Sequence, residues 1–408
     1  MDYYKRANEL KEDTIEIRRY LHKNAEVGLD LPNTVEYVMK QLKEYGIQPQ
    51  LCGHGVTATI GKGKPVILLR ADMDALLITE LSGEEFACAS GNMHACGHDI
   101  HTAMLLTAAR MLKEDEDHLQ GTVKLMFQNA EEVFKGANDM IEHGILDNPR
   151  SDATMAYHMM IGKNQVGTYM YNAGGIMMNS VDEFKIIIHG KGTHGAYPHQ
   201  GIDPINIGVH IHLALQELIA REANPQDICT LTIGMFNAGS AANIIPESAI
   251  LQGTLRTNNV STRENLLSRM KEVCHKIAET YRGTVEIEMV STVPPLMCDP
   301  QLTLEMVEYM SQVGIEGLKE IPNSTATASE DFAIIAEKIP TTYMILTAGF
   351  MDERGDYPLH HPKAQFDENV CVIGVACFAY CASHWLENHR KKLVKLQNIT
   401  SKYNVNNI

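Results

Sequence analysis

Three short, almost unbroken apolar runs restrict the fold of this chain more than any other feature: Val66–Arg70 (VILLR), Val123–Gln128 (VKLMFQ) and Ala153–His158 (ATMAYH). Strands that are apolar on both faces, rather than alternating, belong to parallel sheets covered by helices on both sides. Helical patterns lie between the runs, as at Thr102–Lys113. A fourth run, Thr342–Thr347 (TYMILT), precedes a long helical stretch at the C-terminal end. Strands alternating with helices predict an α/β domain with a mostly parallel sheet.

The middle of the chain follows another plan. A strand at Asp182–His189, a helix around Ile205–Arg221, strands at Cys229–Phe236 and Ala249–Thr257, a helix near Arg263–Tyr281 and a strand at Thr284–Val290 give the order βαββαβ. That is the order of a small ferredoxin-like domain. A chain of 408 residues exceeds one simple core, so two domains are expected. Residues 1–179 and 294–408 are assigned to the larger, discontinuous domain, and residues 180–293 to the domain that interrupts it. The first 23 residues read as a charged amphipathic helix without a signal core, and the tail Thr400–Ile408 is expected to fray.

A net charge of −16, spread along the chain, argues against a nucleic-acid partner, whose phosphates require a basic face. It does not bear on a small substrate, because a cleft can carry a local charge of its own. Nine scattered cysteines, an odd number, read as reduced thiols of a cytoplasmic protein rather than a disulfide framework. No run of 18 uninterrupted apolar residues occurs, so no membrane span is expected.

The chemistry-bearing residues follow the predicted strands, where open α/β sheets bind ligands. Asp72 and Asp74 follow the first strand. The segment MHACGHDIH supplies Cys96 and His98 and opens a helix. Glu131 and Glu132 follow the second strand, His158 ends the third, and His360 and His361 stand in LHHP. One thiolate, several imidazoles and a carboxylate suit zinc, manganese, cobalt or nickel. A structural zinc site would need a second Cys/His pair, and Cys274–His275 sits inside a helical stretch. Of two adjacent glutamates, one can bind metal while the other acts as general base. Taken alone, each residue has a plainer reading: a buried thiol, a solvated acidic turn, a satisfied core histidine. Asp99 and His101 are left between ligand-orienting and helix-capping roles.

In order, RADMDAL, MHACGHDIH, QNAEE, GKGTHGAYPHQGIDP, NIIPESA with GTLRT, and LHHP with FDE resemble the metal-dependent amidohydrolases. That family includes N-acyl-amino-acid amidohydrolases, hippurate hydrolases and auxin–amino-acid conjugate hydrolases, and the resemblance runs from about residue 15 to residue 380. It implies a two-metal catalytic domain interrupted by a dimerisation or lid domain, hence a homodimer. Position by position, it implies that Cys96, His98, Glu132, His158 and His360 are metal ligands, with Cys96 in the bridging place and Glu131 as general base. His194 matches a histidine that holds the carbonyl oxygen, and Asn243 and Arg256 match the groups that hold a substrate carboxylate. Asp72 and Asp74 are assigned to orienting the ligands. Leu77 and Asn129 stand where the family usually has proline, and Ala25–Glu26 stands where it usually has proline–glutamate.

The expected reaction is therefore hydrolysis of the amide bond in an N-acyl amino acid (acetyl, benzoyl or aryl-acyl) or a short peptide, with two divalent ions (Mn, Zn, Ni or Co). Alternatives with the same site are a dipeptidase, a carboxypeptidase or an N-acetyl-diaminopimelate deacetylase. Alternatives of other kinds are an enzyme with Cys96 as nucleophile and a metal-dependent binding protein without turnover.

Overall fold

The computed structural model describes the backbone of residues 1–405 and the side chains of residues 1–395. It divides into two compact units. One comprises Met1–Met177, Met297–Thr325 and the chain from Ile334 onward; the other comprises Met178–Leu296 and Ala326–Ala333. The short segment Ala326–Ala333 falls outside the middle domain as bounded from sequence. It joins the second unit because Asn179 N donates to Ala328 O at 3.0 Å and Met178 bridges Ala326.

An eight-stranded sheet forms the first unit, in the order Gln50–Cys52, Gly55–Gly61, Thr122–Gln128, Val66–Asp72, Ala153–Met160, Thr341–Thr347, Thr168–Met170 and Lys319–Ile321. Its four middle strands are the four apolar runs. They are parallel to one another, and nearly every residue in them is buried. Burial on both faces explains why these runs do not alternate. Pairing turns antiparallel outside them, at Gly55–Gly61 with Thr122–Gln128 and at Thr168–Met170 with Thr341–Thr347. The helix His98–Glu114 packs on strand Val66–Asp72 and against the C-terminal helix, Val370–Val405. By length and composition the stretch Val370–Lys395 could cross a membrane, a property that the search for uninterrupted apolar runs did not register. However, 78% of its most apolar window is buried, so it is a core helix. Residues 406–408 of the tail expected to fray lie outside the described residues, and the backbone before them is helical.

In the second unit, strands Cys229–Ala238, Ser248–Thr257, Val181–His189 and Thr284–Val293 form an antiparallel sheet in that order. Here burial does alternate. Phe184, Ile186 and Ile188 face a core completed by Ile207, Ile211 and Leu215 of helix Pro204–Glu217 and by Leu266, Met270 and Cys274 of helix Val260–Thr280. One-sided burial is what gives these strands their mixed composition.

Candidate metal centre

The parallel sheet delivers the site's side chains to one end of its strands. Asp72 ends Val66–Asp72, Glu131 and Glu132 follow Thr122–Gln128 by three and four residues, and His158 lies near the end of Ala153–Met160. Gly97, with φ +92°, caps the helix His98–Glu114, and a Cβ there would lie 2.8 Å from the Phe366 ring. Glycine is thus required at the turn between Cys96 and His98.

Cys96 sits at the centre. Its Sγ lies 3.4 Å from His158 Nε2 and 3.3 Å from His360 Nε2. Two groups of donor atoms share this sulfur, Cys96 with His98 and His158, and Cys96 with Glu132 and His360. Within each group all donors lie within 4.8 Å of one another. Glu131 joins His98 and Glu132 in a further group. His98 Nδ1 donates to the Asp74 carbonyl at 2.9 Å and His158 Nδ1 to the Met159 carbonyl at 2.7 Å. A carbonyl can only accept, so in each neutral ring Nε2 is the nitrogen with a free lone pair.

The glutamates are placed by Asp74. Its buried carboxylate accepts from the backbone N–H of Glu131 at 3.0 Å and of Glu132 at 3.1 Å. Ala130 adopts φ +55°, a left-handed turn rare for a residue with a side chain, and its carbonyl accepts from Lys135 N and Gly136 N. Gly136 packs directly on this turn, where a Cβ would lie 1.5 Å from Asn129 O. Asn129 Nδ2 donates to Leu29 O at 2.7 Å and His54 O at 2.9 Å. Hydrogen bonds from the Asn129 side chain therefore hold the loop that leads into the glutamates.

Electrostatically the cluster is matched to cations. Burial pushes the Cys96 thiol well above its usual range, and Glu132 reinforces the shift. Glu132 itself is raised to about 7, first by burial and then by Asp74 and Asp72, against the opposing charge of His98. Burial also lowers His360, assisted by His98. His98 rises well above the usual imidazole value although burial opposes it, because Asp72 and Cys96 draw a proton to it. His98 Nε2 and Glu132 Oε1 are buried without a hydrogen-bond partner. Buried polar atoms without partners and crowded negative charge are the conditions that a divalent cation relieves, and the donor set fits one.

Two further contributors are His101, whose role the sequence left open, and Arg70, which the sequence reading missed. His101 donates from Nδ1 to Asp72 at 2.5 Å and accepts at Nε2 from Met159 N at 3.0 Å, so both of its nitrogens are engaged. Its ring stands 4.8 Å from that of His158. Arg70, a buried cation inside an apolar strand, donates to Asp72 at 2.6 Å and to Gln128 at 3.0 Å. Although burial opposes ionisation, Arg70, His98 and His101 hold Asp72 well below the usual carboxylate range. A lone arginine in VILLR was the one available signal.

In the second unit, antiparallel pairing of Thr193–His194 with Ile244–Ile245 brings His194 beside Asn243, and Gly195 N donates to Asn243 O at 2.7 Å. Ala196 N donates to His194 Nδ1 at 3.0 Å, so the neutral ring carries its proton on Nε2. Arg256 lies on Ser248–Thr257 and donates to Ser329 Oγ at 2.9 Å.

Comparison with known proteins places these features among relatives. Residues 68–384 match peptidase family M20/M25/M40. The chain is 38% identical over 376 residues to the N-acetyl-L-cysteine deacetylase of Bacillus subtilis (strain 168), covering 91% of this chain and 87% of that protein. It is 36% identical over 394 residues to the IAA-amino acid hydrolase ILR1-like 2 of Arabidopsis thaliana, covering 93% and 86%. Among solved structures, the YxeP protein of Bacillus subtilis, a dinuclear metal-binding peptidase of family M20, aligns with a TM-score of 0.78 at 30% identity. The alignment covers 93% of this chain and 99% of that one.

Proposed function

Since this chain belongs to peptidase family M20/M25/M40, we propose that it hydrolyses the amide bond of N-acyl amino acids, and that the clustered donors and Glu131 are its catalytic centre. The observation that carries this reading is the pair of donor groups sharing Cys96, with Glu131 beside them. Cys96, His98 and His158 would hold one divalent ion and Cys96, Glu132 and His360 the other, with manganese, zinc, cobalt or nickel all suited to such donors. When bound, two ions polarise the amide carbonyl and acidify water.

The chain's own residues supply the remaining steps. Glu131 takes a proton from the attacking water and returns it to the leaving nitrogen. His194 donates its Nε2–H to the carbonyl oxygen as negative charge develops. The Arg256 fork and the Asn243 amide hold the carboxylate of the amino-acid half. Asp72 and Asp74 keep the imidazoles and glutamates in place. The second unit is assigned to dimerisation. Ile205, Val209 and Leu213 form an exposed apolar stripe on helix Pro204–Glu217, and the sheet's edge strand exposes Met235 and Phe236. The nine free cysteines support a reducing, cytoplasmic setting.

Amine release from N-acetyl, N-benzoyl and N-aryl-acetyl amino acids and from dipeptides tests the reading, using protein stripped with chelator and resupplied with each metal. Metal-restored release that disappears in Glu131→Gln is expected. Release indifferent to metal would refute the two-ion centre and favour Cys96 as nucleophile. Cleavage of dipeptides alone would make the enzyme a dipeptidase.

A further inference from the structure

Apolar side chains left in water are ordinary when scattered, but in the first unit several gather on the segments that carry the metal centre. Leu77 is 81% exposed, more than any other large apolar residue among those described, and it stands three residues after Asp74. The preceding Leu76 pairs by two backbone hydrogen bonds with Met93, three residues before Cys96. Leu81, 61% exposed, donates its N–H to the carbonyl of Pro362, two residues beyond His360. Val133 is exposed and immediately follows Glu132, and the exposed Val27 bridges to Ala75, next to Asp74. Three chain segments, around Val27, Leu77–Leu81 and Val133, thus carry four exposed aliphatic residues on backbone that adjoins the residues of one polar cluster.

We propose that Leu77, Leu81, Val133 and Val27 form an apolar rim that receives the acyl half of the substrate, making this enzyme selective for bulky, uncharged acyl groups over acetyl. The proposal rests on the reading above, in which the centre cleaves N-acyl amino acids. An amino-acid half carries a carboxylate, which suits the guanidinium and amide of Arg256 and Asn243. A ring of aliphatic side chains suits the half without charge.

The test compares kcat/KM for N-phenylacetyl- and N-acetyl-methionine in the manganese-loaded enzyme and in Leu77→Ser, Val133→Ser and Leu51→Ser. Leu51 is a comparably exposed residue on strand Gln50–Cys52 and serves as the control. The expected result is a phenylacetyl-to-acetyl ratio of about 10 or more, since a few methylenes of apolar contact discriminate by roughly 10–200-fold. That ratio should fall severalfold in the Leu77 and Val133 variants and hold in Leu51→Ser. A ratio near one, or one that neither rim variant changes, overturns the proposal while leaving amide hydrolysis intact. If neither substrate is cleaved, the N-acyl-amino-acid reading fails, and calorimetric binding of phenylacetate and acetate to the same proteins decides about the rim. Phenylacetate binding that Leu77→Ser weakens upholds it, and equal binding of both acids overturns it.

Discussion

Asp74→Asn tests whether one buried carboxylate positions both glutamates. Asp74 is 1% exposed, and its two oxygens each accept one backbone N–H, from Glu131 at 3.0 Å and Glu132 at 3.1 Å. Asparagine keeps the shape but offers one acceptor, and its amide group turns a donor toward the other N–H. A hydrogen bond to a charged group contributes about 1.5–3 kcal/mol, and a buried donor left unsatisfied costs about 1–3 kcal/mol. The variant should therefore be less stable by about 2–4 kcal/mol. Both glutamates hang from this turn, and a displacement of about 1 Å at a catalytic group lowers the rate on the order of 100-fold. His98 Nδ1 lies 2.9 Å from the backbone carbonyl of Asp74 and 3.5 Å from its carboxylate, and the carbonyl bond survives the substitution, so the cysteine–histidine donors should weaken less than those involving Glu132. Urea unfolding, metal content and initial rates on an N-acyl amino acid measure the three effects. Stability within about 0.5 kcal/mol of the parent together with an unchanged rate would refute the positioning role.

Other perturbations address neighbouring parts of the argument. Gly136→Ala places a Cβ where Asn129 O lies 1.5 Å away, so the glutamate loop must move. A loss above about 3 kcal/mol or an insoluble protein is expected, and normal activity would contradict the packing. Removing the ions should lower the melting temperature reversibly, because a ligand at 100 times its Kd contributes about 2.7 kcal/mol; a melting curve blind to chelator would argue against bound cations. His22 tests a charge network behind the centre. Its Nδ1 meets Asp99 at 2.8 Å and its Nε2 meets Glu80 at 3.0 Å, and these partners raise its pKa against the opposing pull of burial. A raised histidine stabilises fully below its unfolded value of about 6.5 and loses that contribution as pH climbs through the folded value. The stability advantage of the parent over His22→Gln should accordingly shrink from pH 6 to pH 9, and an advantage that grows would reverse the assignment.

The limits of legibility follow from how each feature is encoded. The four middle strands could be read because burial on both faces leaves a continuous apolar run, a one-dimensional trace of a three-dimensional fact. The outer strands Gln50–Cys52, Thr168–Met170 and Lys319–Ile321 left no such trace, being three residues long and partly exposed. In the helix His98–Glu114 the apolar pattern is legible only from Thr102, although MHACGHDIH marks its opening. Its first turn is buried by polar residues of the cluster rather than by apolar ones, so periodicity does not extend into it. The same reasoning separates the site residues. Cys96, His98 and the paired glutamates stand out because their chemistry is unusual at close spacing in sequence. His101 and Arg70 act through partners far along the chain, Met159 and Gln128, and Asp74 acts through backbone N–H groups that no side-chain motif encodes. A motif therefore reveals which atoms can do chemistry and can suggest groups such as Asp72 and Asp74 that orient them, while the partners through which those groups act appear only when strands distant in sequence end side by side. The orienting groups are where the reading is most exposed to experiment, because each of them can be changed without removing a donor from the centre.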